Sequence, residues 1–248
     1  MEVKINRIDG LDDAIVSMYF SKRNIDADKE RDLRGMVFRA TVNPFFNPTD
    51  APDGALDPDI ISDELKAILT TLFKWGKVHT TLLRFIDFSC TVYGMHRGGQ
   101  DDFDSHAMRL NSRIIRSSTR LAKFSEGEVS DYYKEKIIPT DLALSILQIP
   151  IPDKIQVGGS TFIKRPNGYI IEGMEDNKDA RRGLYMMSIP SNFIFRCNLT
   201  EFAHIYQQRN KSGSAHDEVK LAVEAMADQL EAASCGFINR ELLLGIKN

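Results

Sequence analysis

The first quarter of the chain combines short alternating patterns with a long polar segment. Residues 3–8 alternate between apolar and polar, which predicts a β-strand. Asp12 is predicted to cap a short helix that runs to Tyr19, because Asp is a favoured residue at helix N-termini. Residues 21–62 are polar and contain four prolines, so this segment is predicted to be a long irregular connection.

The middle of the chain shows a clear helical pattern followed by an alternating one. Apolar residues recur at helical spacing between Ser62 and Gly76, which are predicted to cap and to end a helix. Residues 83–93 alternate and predict a strand. Residues 103–117 predict a second helix, and helical spacing would align a set of arginines in one stripe. The stripe consists of Arg109, Arg113, Arg116 and Arg120.

The second half of the chain alternates between helical and extended patterns. Residues 127–148 predict helix interrupted by Pro139, and residues 149–172 predict a β-hairpin with its turn at 165–168. Asp176 or Asn177 is predicted to begin a helix. The remaining predicted elements are a short strand or extended link at 191–197, an amphipathic helix at 199–208 and a last helix at 214–233. No repeat or domain boundary is evident, so residues 1–248 are predicted to form a single domain.

Composition narrows the class of protein. Of the 248 residues, 42% are hydrophobic, which is enough for a sizeable core. The net charge of −3 does not provide the positive charge that a protein coating nucleic acid needs. The three cysteines form no CxxC pair, so we expect buried thiols in a reducing compartment and no metal site. No apolar run approaches a membrane span. We therefore expect a cytoplasmic protein without nucleic-acid or membrane partners.

The arginine stripe is the first candidate for chemistry. Hydroxyl side chains lie among its arginines, at Ser112, Ser117, Ser118 and Thr119. Guanidinium groups and hydroxyls together suit a phosphate, because arginine pairs with oxyanions through two hydrogen bonds. A solvated helix face is the competing interpretation. The stripe has no interleaved aromatics for base stacking, and the five histidines lack metal-ligand spacing.

Four short segments in the first half resemble the flavin-dependent thymidylate synthases. His79-Thr80-Thr81 stands at the family's His-x-Ser segment, and His96-Arg97 stands at its Ser-Arg pair. Residues 109–112, Arg-Leu-Asn-Ser, match the end of the family's flavin motif. Residues 118–121, Ser-Thr-Arg-Leu, resemble its Ser-x-Arg-Tyr block.

The second half continues the resemblance in the expected order. Ala180-Arg181-Arg182 resembles the family's Ala-Arg pair, and residues 198–202 resemble its Asn-x-Arg-x-Leu helix. Arg209 and residues 215–219 follow at the positions of the next arginine and of the Ala-Gln-x-Glu-Ile block. The resemblance implies an α+β fold, with a central, mostly antiparallel sheet flanked by helices in a single domain.

Several residues depart from the family's pattern. Ala107-Met108-Arg109 replaces the Arg-His-Arg triplet, although His106 is adjacent. Asp104, or Gln100 with a different gap, takes the place of a glutamine before that triplet. Further departures are Leu121 for tyrosine, His204 for asparagine and His216 for glutamine, and residues 149–172 resemble an added hairpin.

The resemblance implies a deoxyuridine monophosphate (dUMP) site and a flavin site. Ser118 and Arg120 would bind the nucleotide phosphate with Arg181 or Arg182, and Asp104 would belong to the same substrate site. Arg209 would stabilise negative charge on the pyrimidine, so Arg209 and Ser118 are the candidate catalytic residues. The candidate flavin ligands are His79, His106, Arg109, Ser112, Asn198 and His204.

The implied reaction is reductive methylation of dUMP to dTMP in a homotetramer. FAD would be the cofactor, methylenetetrahydrofolate the carbon donor and NADPH the reductant. Two alternatives remain, because fold does not fix function. One is a related enzyme that modifies a pyrimidine nucleotide differently, for example by hydroxymethylation of dUMP. The other is a non-catalytic nucleotide-binding homologue.

Overall fold

The structure is a computed structural model of the 248-residue chain. It describes residues 1–43, 50–105, 113–118, 124, 127–177, 180–181, 183–185, 187–211 and 216–246. The α+β class predicted from the sequence, with helices beside antiparallel sheets, is confirmed. The extent of the domain, residues 1–248, stays a prediction.

The chain begins with the predicted strand, β1 (Glu2–Asp9), and continues into a longer helix than predicted, α1 (Leu11–Arg23). Asp12 lies inside the first turn, so its prediction as the N-cap is wrong. The cap is Gly10 at φ 75°, and a Cβ there would lie 1.9 Å from the carbonyl oxygen of Phe85. The close approach and the positive φ both require glycine.

A helix that the sequence analysis missed follows directly. Residues 21–62 are not one irregular connection, because α2 (Ala27–Ala40) occupies the middle of that segment. Asp26 caps α2 by accepting a hydrogen bond from the backbone N–H of Lys29 at 2.8 Å. The buried residues Leu33 and Val37 are four positions apart, so the helix has a narrow apolar face among many charged side chains.

The predicted helix between Ser62 and Gly76 is confirmed as α3 (Asp63–Gly76). Ser62 accepts a hydrogen bond from the backbone N–H of Leu65 at 3.2 Å. The predicted strand at 83–93 starts several residues before the observed one. A 3-10 helix (Thr80–Phe85) comes first, and β2 (Asp87–His96) follows it. Leu83 of the 3-10 helix is fully buried and packs against Gly76. A Cβ at Gly76 would lie 2.5 Å from the leucine side chain.

The described parts of the helix predicted at 103–117 belong to two different elements, and the helical prediction is confirmed for residues 103–105. Helix α4 spans Arg97–Ser105, and β3 spans Arg113–Arg116. The prediction is therefore wrong for residues 113–116, while residues 106–112 lie outside the described residues. Two adjacent isoleucines, Ile114 and Ile115, suit a strand as well as a helix, so local spacing misled the prediction.

The predicted hairpin is confirmed and carries one more strand than expected. After α5 (Thr140–Ile146) come β4 (Lys154–Val157), β5 (Ser160–Arg165) and β6 (Gly168–Ile171), all antiparallel. The β5–β6 register ends on the predicted turn, with Arg165 opposite Gly168. Helix α5 follows Pro139 as expected but buries none of its residues. The helix predicted before Pro139 is wrong, because residues 127–138 contain turns and no helix.

The last elements are β7 (Pro190–Asn198), α6 (Leu199–Lys211), α7 (Asp217–Ala233) and α8 (Arg240–Gly245). The first three confirm the predicted strand and helices, and α8 was missed. The amphipathic character predicted for 199–208 is wrong, because only Gln208 is exposed and only His204 is half-buried in that segment. Gln207 also donates to the carbonyl oxygens of Leu243 and Ile246, at 2.7 and 2.9 Å.

Among the described strands, one sheet has the order β1-β2-β7-β3 and a second has the order β4-β5-β6.

Contacts between residues divide the chain into two units. Unit 1 comprises Met1–Glu2, Tyr93–Asp101 and Ile115–Phe193, and unit 2 comprises Val3–Val92, Asp102–Ile114 and Ile194–Asn248. Unit 2 contains an aromatic core in which Phe88 packs edge-on against Phe195 and Phe202, and Phe103 against Phe195. None of the helices in the described parts of the chain is long and apolar enough to span a bilayer.

Candidate functional site

Helix α6 of unit 2 contains two of the predicted site residues, His204 and Arg209, and a third, Asn198, caps it. Asn198 is buried, and its side-chain oxygen accepts a hydrogen bond from the backbone N–H of Glu201 at 2.9 Å. This is the N-cap contact that satisfies a donor of the first turn. The side chain proposed for flavin binding therefore also caps the helix, and its amide N–H groups remain the donors that a ligand can use.

Arg209 lies near the other end of α6 and is only 3% exposed. Its Nη1 lies 3.3 Å from Oδ1 and 3.2 Å from Oδ2 of Asp102, and its Nη2 donates to the main-chain oxygen of Asp102. Its Nε has no hydrogen-bond partner within the part of the chain that the structure describes. Burial lowers the pKa of Arg209, and the Asp102 carboxylate acts in the opposite direction. A buried cation is thus held by one acidic residue on α4.

The two histidines predicted for the flavin site differ in their surroundings. His204 lies on α6 and is half-buried, whereas His79 is exposed just before the 3-10 helix. The ring of His79 lies 5.6 Å from that of Trp75, and the ammonium group of Lys22 lies 3.5 Å above the Trp75 ring. The 3-10 helix contacts the start of α6, where the hydroxyl of Thr200 donates to the carbonyl oxygen of Thr80 at 3.2 Å.

Ser118 belongs to unit 1 and follows β3. The preceding residue, Ser117, donates through both its backbone N–H and its hydroxyl to the carbonyl oxygen of Asn192, at 2.9 and 3.2 Å. The Asn192 side chain accepts from the backbone N–H of Gly94 at 2.9 Å, and Arg97 donates to the carbonyl oxygen of Ser117 at 3.3 Å. Backbone contacts therefore fix the segment that ends in the half-buried Ser118.

Arg181 is also in unit 1, in the short helical turn that the sequence predicted. Asn177 begins this turn, because its side chain accepts from the backbone N–H of Ala180 at 3.0 Å and its carbonyl oxygen accepts from that of Arg181 at 3.0 Å. The prediction that Asn177 starts this element is confirmed. Arg181 is half-buried.

Arg113 and Arg116, the two arginines of the stripe that the structure describes, do not lie on a helix. Arg113 and Arg116 belong to β3, and Arg116 forms an ion pair with Asp101. The helical alignment predicted for them is therefore wrong. Five predicted site residues lie outside the described residues: His106, Arg109, Ser112, Arg120 and Arg182.

Asp102 was not predicted, whereas the neighbouring Asp104, half-buried on α4, was assigned to the substrate site. A signal for Asp102 exists in the sequence, because Arg209 lies four positions after Ile205 and therefore falls on the apolar face if the predicted helix continues to it. A buried arginine needs an acidic partner. The sequence offers Asp101, Asp102 and Asp104, and only the fold selects among them.

The expectation of buried thiols is confirmed for two of the three cysteines and is wrong for Cys235, which is exposed. Cys90 and Cys197 are buried, and burial raises the pKa of Cys90 to about 12 and that of Cys197 well above its ordinary value. A raised pKa keeps a thiol protonated and unreactive at neutral pH. Nowhere in the described ranges do three or more His, Cys, Asp or Glu side chains gather as metal ligands would.

Comparison with known proteins adds a structural relationship. No protein-family model and no curated protein matches the sequence. The fold is similar to a crystal structure of flavin-dependent thymidylate synthase ThyX from Helicobacter pylori complexed with FAD and dUMP, with a TM-score of 0.56 and 14% identity over 98% of this chain and 99% of that one. A second structure of the Helicobacter pylori enzyme with FAD and dUMP gives a TM-score of 0.55 and 13% identity over 98% and 100%. The fold implied by the resemblance is thereby confirmed.

Proposed function

We propose that this chain binds FAD and dUMP and catalyses the reductive methylation of dUMP to dTMP, with methylenetetrahydrofolate as carbon donor and NADPH as reductant. The observation that carries the proposal is a fold shared over 98% of the chain with enzymes whose structures hold FAD and dUMP. Asn198 and Arg209 support it, because both stand at positions where the sequence resembles the family, Asn198 as the cap of α6 and Arg209 near its end.

The flavin ligands proposed from described residues are Asn198, His204 and His79. Their chemistry fits a flavin, since an amide and an imidazole donate hydrogen bonds to ring oxygens and nitrogens and an exposed histidine ring offers a stacking face. His106, Arg109 and Ser112 complete the proposed set from the sequence resemblance. When bound, the flavin would supply the hydride that the reduction requires.

The residues proposed to bind the nucleotide fall into groups, according to the part of the nucleotide that each would contact. Ser118, Arg120, Arg181 and Arg182 are proposed for the phosphate, because hydroxyl and guanidinium donors satisfy a dianionic group. Asp104 is proposed for the sugar or base. Arg209 is proposed beside a pyrimidine carbonyl oxygen, where its charge would stabilise negative charge that develops on the ring.

The first experiment is the visible absorption spectrum of the purified protein before and after addition of FAD, followed by titration with dUMP. We expect a bound-flavin spectrum that dUMP perturbs. A protein that takes up no FAD at any concentration tested would contradict the flavin part of the proposal. The variant Leu221→Ala, at an exposed position on α7, is a control that should bind FAD as the wild type does.

Mass spectrometry of the nucleotide after turnover with all cosubstrates identifies the reaction. We expect a product heavier than dUMP by one CH₂ group. An increase of one CH₂O group would instead indicate hydroxymethylation, and an unchanged nucleotide despite bound FAD would indicate a non-catalytic homologue.

Arg120→Ala tests the phosphate assignment. Loss of a charge-assisted hydrogen bond should weaken dUMP binding by about 2–3 kcal/mol, a loss of roughly 30- to 150-fold in affinity. The control is Arg31→Ala, since Arg31 is 77% exposed and pairs with Asp28 on the surface. An unchanged dissociation constant for Arg120→Ala by calorimetry would remove this residue from the site.

We also propose that the protein is a homotetramer, as the resemblance implies, and that it is cytoplasmic. Sedimentation velocity over a range of protein concentrations tests the assembly. A mass of one chain at all concentrations would contradict it.

A further inference from the structure

The ion pair between Arg209 and Asp102 has an unusual degree of burial for two charged groups. The Arg209 side chain is 3% exposed and that of Asp102 is 34% exposed. Both terminal nitrogens of the guanidinium are directed at this one residue, Nη1 at the carboxylate and Nη2 at the main-chain oxygen. The two residues are 107 positions apart in the chain, so the fold of unit 2 brings them together.

The contacts fix both the charge and the orientation of the arginine. Removing a guanidinium from water is unfavourable unless a partner compensates it, and burial lowers the pKa of Arg209 accordingly. The carboxylate of Asp102 compensates this effect and keeps the group a cation. Two donors bound to two acceptors of one residue also restrict rotation of the planar guanidinium.

The Nε–H of Arg209 differs from the rest of the group. This atom is buried and has no hydrogen-bond partner within the described residues. A buried donor without a partner is costly, so native proteins rarely leave one unless a ligand or water completes it. The side chain is more than nine-tenths buried, which makes it a candidate for a ligand contact.

We infer that Asp102 is a positioning residue that orients Arg209 toward a neutral carbonyl oxygen of the bound base, and not toward the phosphate. The inference rests on the proposed function. The arginine and the aspartate together carry no net charge, so a dianionic phosphate placed at the guanidinium would also be repelled by the carboxylate that lies 3.2 Å from Nη1. A carbonyl oxygen is neutral before reaction and meets no such repulsion.

This arrangement favours the reaction step over ground-state binding. A carbonyl oxygen gains negative charge as the ring is reduced, and a cation already fixed beside it needs no reorganisation at that moment. An arginine released from Asp102 would still carry its charge but would no longer hold the orientation. The loss should therefore appear mainly in kcat and less in KM.

The experiment combines variants at both residues with two ligands, dUMP and its phosphate-free analogue deoxyuridine. Asp102→Asn keeps the shape and removes the charge, and Arg209→Gln with Asp102→Asn removes both charges so that no unpaired ion is buried. Asp228→Asn is the control, because Asp228 also pairs with an arginine, Arg240, but is 58% exposed on α7. Thermal unfolding and the flavin spectrum of each variant establish that it is folded.

We expect Asp102→Asn to lower kcat by about tenfold to a hundredfold while KM for dUMP changes by less than about threefold. It should weaken dUMP and deoxyuridine by the same factor. In the Arg209→Gln background it should cause no further loss, because Asp102 acts through Arg209. Asp228→Asn should match the wild type in all of these measurements.

Three results would overturn the inference. The first is a set of effects on kcat that multiply when the two substitutions are combined, and the second is a fall in the affinity for dUMP with an unchanged affinity for deoxyuridine. The third is turnover by Asp102→Asn at the wild-type rate. If Asp102→Asn does not fold, the double variant and Arg209→Gln alone give the same ligand comparison. A wild-type protein that binds neither dUMP nor deoxyuridine would instead refute the proposed function, on which this inference rests.

Discussion

Replacing Asn198 by alanine and by serine separates two roles at one position. The side-chain oxygen of Asn198 caps α6 through the 2.9 Å hydrogen bond from Glu201, and its amide N–H groups are the proposed donors to the flavin. Serine is as good an N-cap as asparagine but has no amide, whereas alanine has neither group. Loss of a cap costs about 1 kcal/mol, which lowers Tm by roughly 2–4 °C in a chain of this length.

We expect Asn198→Ala to lower Tm by that amount and Asn198→Ser to change it by less than about 1 °C. Both variants should weaken FAD binding by about 2- to 12-fold, the equivalent of one hydrogen bond worth about 0.5–1.5 kcal/mol. Differential scanning fluorimetry of the flavin-free protein and a fluorescence titration with FAD measure the two effects separately.

The two assays also refute the two roles separately. Equal losses of Tm in Asn198→Ala and Asn198→Ser would show that the cap contributes nothing. Wild-type FAD affinity in Asn198→Ser would remove the Asn198 amide from the flavin site. Asn239→Ser is a matched control, since Asn239 caps α8 through a 2.9 Å contact with the backbone N–H of Leu242, and it should bind FAD normally.

Other predictions concern stability. Gly99→Ala places a Cβ 2.5 Å from the ring of buried His96 and should cost about 1–3 kcal/mol by thermal unfolding, whereas Gly35→Ala meets only the flexible end of Arg39 and should stabilise α2 by up to about 1 kcal/mol. Equal Tm values for the two variants would contradict this reasoning. Burial raises the pKa of Cys90 to about 12, so the folded state disfavours the thiolate. The protonated Cys90 thiol therefore contributes to the free energy of unfolding below its pKa in the unfolded chain, which is about 8.5. This contribution decreases toward pH 12, by up to about 1.4 kcal/mol per pH unit. The stability difference between wild type and Cys90→Ala, measured by denaturant unfolding, should therefore shrink above pH 9, and a constant difference from pH 7 to 10 would refute it.

The predictions that the structure confirms depended on signals contained in a few neighbouring residues. Ser62 and Gly76 mark the two ends of α3, and both signals act within one helical turn. The hairpin depended on turn residues at 165–168 between two β-rich runs, and β5 and β6 pair there. Such elements are set by local chemistry, so they can be predicted without knowledge of the fold.

The predictions that failed depended on partners far away in the sequence. Residues 113–116 form a strand whose neighbour in the fold is distant in the sequence. The residue that follows the strand, Ser117, donates a hydrogen bond to the carbonyl oxygen of Asn192, which is 75 positions away. Helix α2 has only a narrow apolar face, and its burial depends on neighbours such as α1. The partner of Arg209 was missed for the same reason, because three acidic residues within five positions offer equal local signals.

Helix α6 and its cap show that two residues of the proposed site also stabilise the fold. Asn198 and Arg209 match the residue types of the resembled family, and each also holds a structural contact, the helix cap and the buried ion pair. His204 replaces the family's asparagine at the half-buried position of a helix that is otherwise almost entirely buried. Replacement at Asn198 or Arg209 would cost stability as well as binding, since it removes a cap or leaves a charge without its partner.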